Sequence, residues 1–283
     1  MTGPHHHVIR TVLIALFTQG VGCAVSIWTT PRVAEAFAAL GATAAVFVAC
    51  GGSVFRVAGR RAVCGGFLTV WSLRLSIHLF MRNRPPKIPL SSLAISRTAW
   101  SAAAALPVVL LIATPSADDG FMAYEALAIA FAATSLALET VADIEKNWWH
   151  RAKEGPVVTE GVWSISRHAN LAGEGMFHLA LCATCVRGSS YAAVSCFVAL
   201  AMLWHLALND YGPLVCSERT RAVLYEHSVL YDEYVKSTSV YWPIPKIAWR
   251  AMGIRAKRLL FDREDWRRGA ALSIIASVTS DAI

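Results

Sequence analysis

The chain has 283 residues, 55% of them hydrophobic and only 16% charged, with a mean hydropathy of +0.47 and a formal net charge of +7. Soluble domains carry about 25% charged residues, so this composition excludes a water-solvated globule and indicates a chain solvated mainly by lipid. The basic surplus forms no stripe with interleaved aromatics, which excludes nucleic acid as a partner and leaves anionic lipid head groups as its counter-charge.

In chain order, "MTGPHHHVIR" opens with three histidines that read as a solvated tract, and no metal site is expected. Apolar windows then recur near 11–30, 36–55, 62–81, 98–114, 121–142, 171–186 and 189–208, at the spacing bilayer crossings require. They lack period-2 alternation, so backbone satisfied within each segment means helices rather than barrel strands. The expected fold is all-α: a polytopic membrane bundle of about seven transmembrane helices over residues 1–208, followed by a polar C-terminal region, 209–283. With seven crossings, twenty Lys and Arg fall on the C-terminal side and five on the other, with Arg74 inside a span. The C-terminal side is then cytosolic, or matrix in a mitochondrion.

In the third window, "WSLRLSIHLFMRN" sets Trp71, Arg74 and His78 on one helical face. An arginine inside a span is costly unless it is paired or faces a polar cavity, which makes Arg74 a site candidate; snorkelling to the interface is the alternative. After the fifth window, "ADIEKNWWHRAKEGPVVTEG" is expected to end a helix near Asp143, Glu145 and Lys146 and to open the longest connection of the bundle, about 143–170. It reads either as a cofactor-facing turn or as a solvated loop with interfacial tryptophans. Then comes "GVWSISRHANLAGEG", which crowds Arg167, His168, Asn170 and Glu174 at the mouth of an apolar run.

Beyond residue 208 the spacing predicts one amphipathic helix over about 214–237, stopped by the two prolines of "YWPIPK". A basic, Trp-bearing stretch suited to a membrane surface and a short apolar tail follow. The seven cysteines lie mostly in apolar segments without framework spacing, so they read as buried free thiols. "CATC" at 182–185 has redox or metal-ligand spacing, but within an apolar helix it reads first as packing.

"GVWSISRHANLAGE" resembles the G-[LW]-W-x-x-S-R-H-P-N-Y-x-G-E signature of the steroid 5-alpha-reductase-like membrane proteins, including the bacterial DUF1295 branch. Trp163, Ser166, Arg167, His168, Asn170, Gly173 and Glu174 stand where that signature wants them. "WSLRL" and "ADIEK" upstream, and Glu218, Tyr231, Tyr234, Thr238 and Pro243 downstream, are similar to further family elements, so the resemblance covers about 65–250. The resemblance implies an NADPH-dependent reductase that acts on a carbon–carbon double bond conjugated to a ketone in a lipophilic substrate: a steroid, sterol, polyprenol or acyl chain. It implies cofactor contacts from Arg74, Asp143, Lys146, Arg167, His168, Asn170, Gly173, Glu174, Tyr231 and Tyr234, with the C-terminal region covering the cofactor side.

Two positions depart from the signature: Ala169 replaces its proline and Leu171 its tyrosine. The acid that must polarise the ketone is not aligned. Tyr124, Glu125, Glu139 and His78 are candidates by chemistry alone. A catalytically silent relative, in which NADPH binding is lost and the chain serves as an accessory subunit among partner membrane proteins, is the second reading. An isoprenylcysteine-type methyltransferase is the third. The membrane is expected to be the endoplasmic reticulum or the mitochondrial inner membrane.

Overall fold

The structure is a computed structural model that describes residues 13–14, 31–50, 59–81, 90–114, 121–152, 157–208, 213–225 and 227–260. The first apolar window, 11–30, and the tail after 260 lie outside these residues, apart from 13–14. Among the described residues every regular element is helical, as the apolar windows require. In chain order they are α1 (Pro31–Ala49), α2 (Gly59–Met81), α3 (Leu90–Ala113), α4 (Ala123–Ala152), a single 3-10 turn (Gly161–Ser164), α5 (Ala169–Cys185), α6 (Ser190–Leu208), α7 (Pro213–Leu224), α8 (Val229–Ser237), α9 (Lys246–Ala251) and α10 (Ile254–Leu259).

Two of these, α2 and α4, are long and apolar enough to cross a membrane. Shorter apolar stretches lie at Ala39–Ala49, Thr98–Ala113 and Ser190–His205. Among the described residues the chain is therefore all-helical, with two candidate spans.

The chain divides into two compact units, residues 1–136 with 176–204, and residues 137–175 with 205–283. In the first unit α1, α2 and α3 pack on one another through small side chains, with Ala39, Ala42, Ala45, Ala103, Ala104 and Ala105 buried. Small residues let helix backbones approach closely, and polar side chains then bond across the gap. Here Ser72 Oγ on α2 donates to the Ala39 carbonyl at 2.5 Å, and Thr43 Oγ1 donates to Ser72 Oγ at 2.9 Å. At the start of α4, Glu125 accepts from the Met122 amide at 2.7 Å and forms a buried ion pair with Arg60 at 2.9 Å.

Two boundaries differ from the sequence reading. The fifth apolar window was expected to end near 142, yet α4 runs to Ala152, because Glu, Lys, Trp and Arg continue a helix after the hydropathy has fallen. Asp143, Glu145 and Lys146 are therefore helix-interior residues. The single helix expected over 214–237 is two helices: Ser228 Oγ accepts from the Tyr231 amide at 3.3 Å and N-caps α8, with Asp232 in its first turn.

Candidate functional site

The second unit is organised by the segment Gly161–His168, and it is built from glycine outward. Gly161 has φ +56°, a left-handed conformation, and a Cβ there would meet the Glu145 carboxylate. The bare glycine lets Glu145 Oε2 accept from the Val162 amide at 3.1 Å. Trp163 follows, 2% exposed, with its indole N–H donating to the Ala142 carbonyl at 3.1 Å and its ring packed with Val158 and Ala169. Lys146 Nζ stands 5.3 Å from the centre of that ring, a cation–π distance.

Arg167 comes next, fully buried, and its guanidinium serves three protein acceptors. Nη1 donates to the carbonyls of Val235 at 2.8 Å and Thr238 at 3.0 Å, and Nη2 pairs with Glu218 Oε2 at 2.9 Å. Its backbone N–H donates to the Ser239 carbonyl at 2.8 Å, while its own carbonyl accepts from Arg221 at 2.9 Å. His168 Nε2 meets the other Glu218 oxygen, Oε1, at 2.8 Å. Ser166 Oγ donates to the Tyr241 carbonyl at 2.7 Å, and Tyr234 donates its phenol to the Trp163 carbonyl at 2.7 Å. The "WSISRH" stretch thus ties residues 218–241 down by side chain and backbone together.

Charge follows from this packing. Burial lowers the His168 pKa to about 4 against the opposing pull of Glu218, so its imidazole is neutral near pH 7 and donates to the carboxylate. Burial by itself would raise Glu218, but Arg167, the His168 hydrogen bond and Arg221 outweigh it and hold the carboxyl well below the usual carboxylate range. Burial pushes the Tyr234 phenol up.

A second cluster lies along two helices of the same unit. Glu139 and Asp143 are four apart on α4, and Asn170 and Glu174 four apart on α5, so each pair shares a face. Asn170 Nδ2 donates to Asp143 Oδ1 at 3.3 Å. One turn along each helix, the carboxylates of Glu174 and Glu139 both lie close enough to the Tyr241 phenol to raise its pKa beyond what its burial does. Tyr241 reaches this place because Gly175 has no side chain: a Cβ there would meet the phenol oxygen, which instead donates to the Leu171 carbonyl at 3.0 Å. Glu139, Asp143 and Glu174 are all buried, at 2–4% exposure. We refer to this arrangement as the seam.

The sequence-predicted residues divide accordingly. Arg167 and His168 belong to the tie-down of the C-terminal segment, with Tyr234 beside them. Asp143, Asn170, Glu174 and Glu139 form the seam, and Gly173 is buried beside Glu174. Tyr231 packs with Tyr234, Val235 and Tyr225. Arg74 and His78 lie half-buried on α2 of the first unit. There, too, Glu125 is engaged by Arg60, and Tyr124, exposed, donates to Glu125 at 3.4 Å. Sequence reasoning passed over Tyr241 and Gly175, and it took Glu218 as a motif element without a partner. No group of three or more His, Cys, Asp or Glu suited to a metal ion occurs among the described residues.

A family profile described as "Protein of unknown function (DUF1295)" matches residues 88–238, more than half of the chain and the stretch that contains the seam's four helix positions and the Arg167–Glu218 pair. The chain belongs to the DUF1295 family. No curated protein and no solved structure matches it. In this DUF1295 chain the profile thus spans "GVWSISRHANLAGE" together with helices α3 to α8.

Proposed function

We propose that this chain is a polytopic membrane protein of about seven crossings that binds NADPH and reduces a conjugated carbon–carbon double bond in a lipophilic substrate. The observation that carries this reading is the seam. Three buried carboxylates gathered with an amide and a phenol are costly in a mostly apolar chain, because buried polar groups must be satisfied and intramembrane acids mark functional sites. Their chemistry suits the nicotinamide and ribose half of a dinucleotide: carboxylates accept from a carboxamide NH₂ and from ribose hydroxyls, and Asn170 adds a donor. Lys146 and Arg221, both half-buried near Trp163, are cations of the same unit suited to its phosphates. The dinucleotide supplies the hydride.

In this reading Arg167, His168 and Glu218 do not touch the cofactor. They hold the segment that carries Tyr241 over the seam, a positioning role. Counted for seven crossings, the bias of twenty basic residues against five supports a cytosolic or matrix C-terminal side, in an endoplasmic reticulum or inner mitochondrial membrane.

The test is titration of the purified full chain with NADPH, read by nicotinamide fluorescence, alongside Asn170→Ala and Glu174→Gln. The reading expects binding that each substitution weakens by about tenfold or more, as loss of one buried hydrogen bond to a ligand implies. Absence of any response at millimolar NADPH overturns it, and a response to S-adenosylmethionine alone turns the assignment to a methyltransferase.

One observation favours a second reading. Arg167, the most conspicuous cation of the motif, is occupied by Glu218 and two carbonyls, so the motif is explicable as a structural clasp in an accessory subunit. A stoichiometric complex with other membrane proteins, isolated without NADPH binding, supports it.

A further inference from the structure

Four of the cysteines meet in the first unit. Cys64 on α2, Cys182 and Cys185 on α5, and Cys196 on α6 are all buried, at 0–5% exposure. The helix register brings them together. Trp71 of α2 stacks against Phe177 of α5 with ring centres 6.2 Å apart, and it meets His178 edge-on at 4.6 Å. Two turns back along α2 is Cys64, and two turns onward along α5 is Cys185, so an antiparallel pair places those thiols opposite each other. Their side chains are neighbours.

The α5–α6 hairpin supplies the second pair. Its turn closes through the Gly188 amide on the Cys185 carbonyl at 2.9 Å. Across it, Cys196 Sγ donates to the Cys182 carbonyl at 3.5 Å, which sets these two cysteines side by side. The "CATC" spacing therefore does not pair its own two cysteines. It sends one thiol to each neighbouring helix.

We propose that these four thiols are a dithiol–disulfide site, closing as Cys64–Cys185 and Cys182–Cys196 to staple α2 to α5 and α5 to α6. In each closure two S–H bonds break and one S–S bond forms, and the two electrons and two protons pass to an acceptor that becomes its dihydro form. The thiols are buried in apolar helices, so the acceptor we assign is of the quinone class, which shares the hydrocarbon phase. All four thiols lie within about 9 Å of helical rise of their helix ends near Gly59, Cys185 and Ser190. If the membrane reading above holds, those ends face away from the cytosol, on the side where disulfides persist.

The full chain in phosphatidylcholine nanodiscs is exposed to a fully substituted, ubiquinone-type quinone, and separately to the azo oxidant diamide. It is then denatured, alkylated and weighed. With either oxidant the chain takes up three alkyl groups where the reduced chain takes up seven, and peptide mapping returns the two named linkages while Cys23, Cys50 and Cys216 are alkylated. Cys64→Ser removes only the first linkage, which guards against a global loss of structure. The pairing is overturned if all four cysteines stay alkylatable after both oxidants, or if the linkage found is Cys182–Cys185 or intermolecular. Linkage with diamide and none with the quinone overturns the acceptor class. No step involves NADPH, so failure here is distinct from failure of the reductase reading.

Discussion

Arg167 and Glu218 are 51 residues apart in sequence and 2.9 Å apart in space, with side-chain exposures of 0% and 2%. Each is the other's main compensation for leaving water. Glu218 also takes His168, and Arg167 also takes two carbonyls that end α8, so the pair sits at the centre of a network rather than alone.

Removing one partner strands the other. Glu218→Ala leaves a buried guanidinium without its counter-charge and His168 without its acceptor, and the expected cost is about 3–5 kcal/mol. Arg167→Lys is nearly as damaging, since a single ammonium cannot reproduce a planar fork bonded in three directions. Thermal unfolding of the detergent-solubilised full chain measures both. A change in either below about 0.5 kcal/mol, the size of a neutral surface substitution, means the clasp contributes nothing.

The same network sets an acid limit. As pH falls from 6.5, the unfolded histidine takes up a proton that His168, with its pKa lowered to about 4, refuses, so stability falls between those two values. Glu218 acts in the same direction lower down: its stabilisation is complete above 4.5 and is lost as pH falls further. The midpoint of thermal unfolding is expected to drop steadily from pH 6.5 to 4, and His168→Gln is expected to flatten that slope while leaving the loss below 4.5. An identical slope in the variant removes His168 from the account.

What the sequence displayed and what it hid follow from the range of each interaction. Arg167, His168 and Glu174 were conspicuous because charge at the mouth of an apolar run is costly whatever the fold. Their partners were not, because Glu218, Val235 and Thr238 reach Arg167 only through the path of the chain between them. The apolar windows found most of the helices but misplaced the end of α4, since hydropathy reports the solvent a segment prefers and not whether its backbone stays helical. The break between α7 and α8 had a local signal: Ser228 followed by Asp232 in the first turn is a helix start that the periodicity of the surrounding apolar residues obscured. The thiol pairs had half a signal in "CATC"; the other half lies on α2 and α6.

In the first unit, Arg60 and Glu125 form a bidentate pair, Nε to Oε1 at 2.9 Å and Nη2 to Oε2 at 3.1 Å, both side chains at 1% exposure or less. Glu125 also caps α4 through the Met122 amide. Glu125→Gln keeps the cap acceptor but loses the charge, whereas Glu125→Ala loses both. The order of unfolding temperatures is expected to be wild type, then Gln, then Ala, the Ala variant about 3–5 kcal/mol below wild type. Equal effects of Gln and Ala show that charge alone matters; a neutral Glu125→Ala contradicts the pair.

Tyr241 and Gly175 give the sharpest steric prediction. The phenol occupies the space where a residue 175 side chain would be, and bonds the Leu171 carbonyl one turn earlier on α5. Gly175→Ala must therefore expel Tyr241 from the seam, while the helix itself gains from the better helix former. Overpacking of this kind costs about 1–3 kcal/mol, against about 1 kcal/mol for Tyr241→Phe, which removes only the hydrogen bond. The double variant Gly175→Ala with Tyr241→Ala separates steric from helical effects: with the phenol gone, Ala at 175 is expected to be neutral or stabilising relative to Tyr241→Ala alone. Comparing the four unfolding temperatures measures that coupling, and an additive outcome means Gly175 and Tyr241 do not share the space.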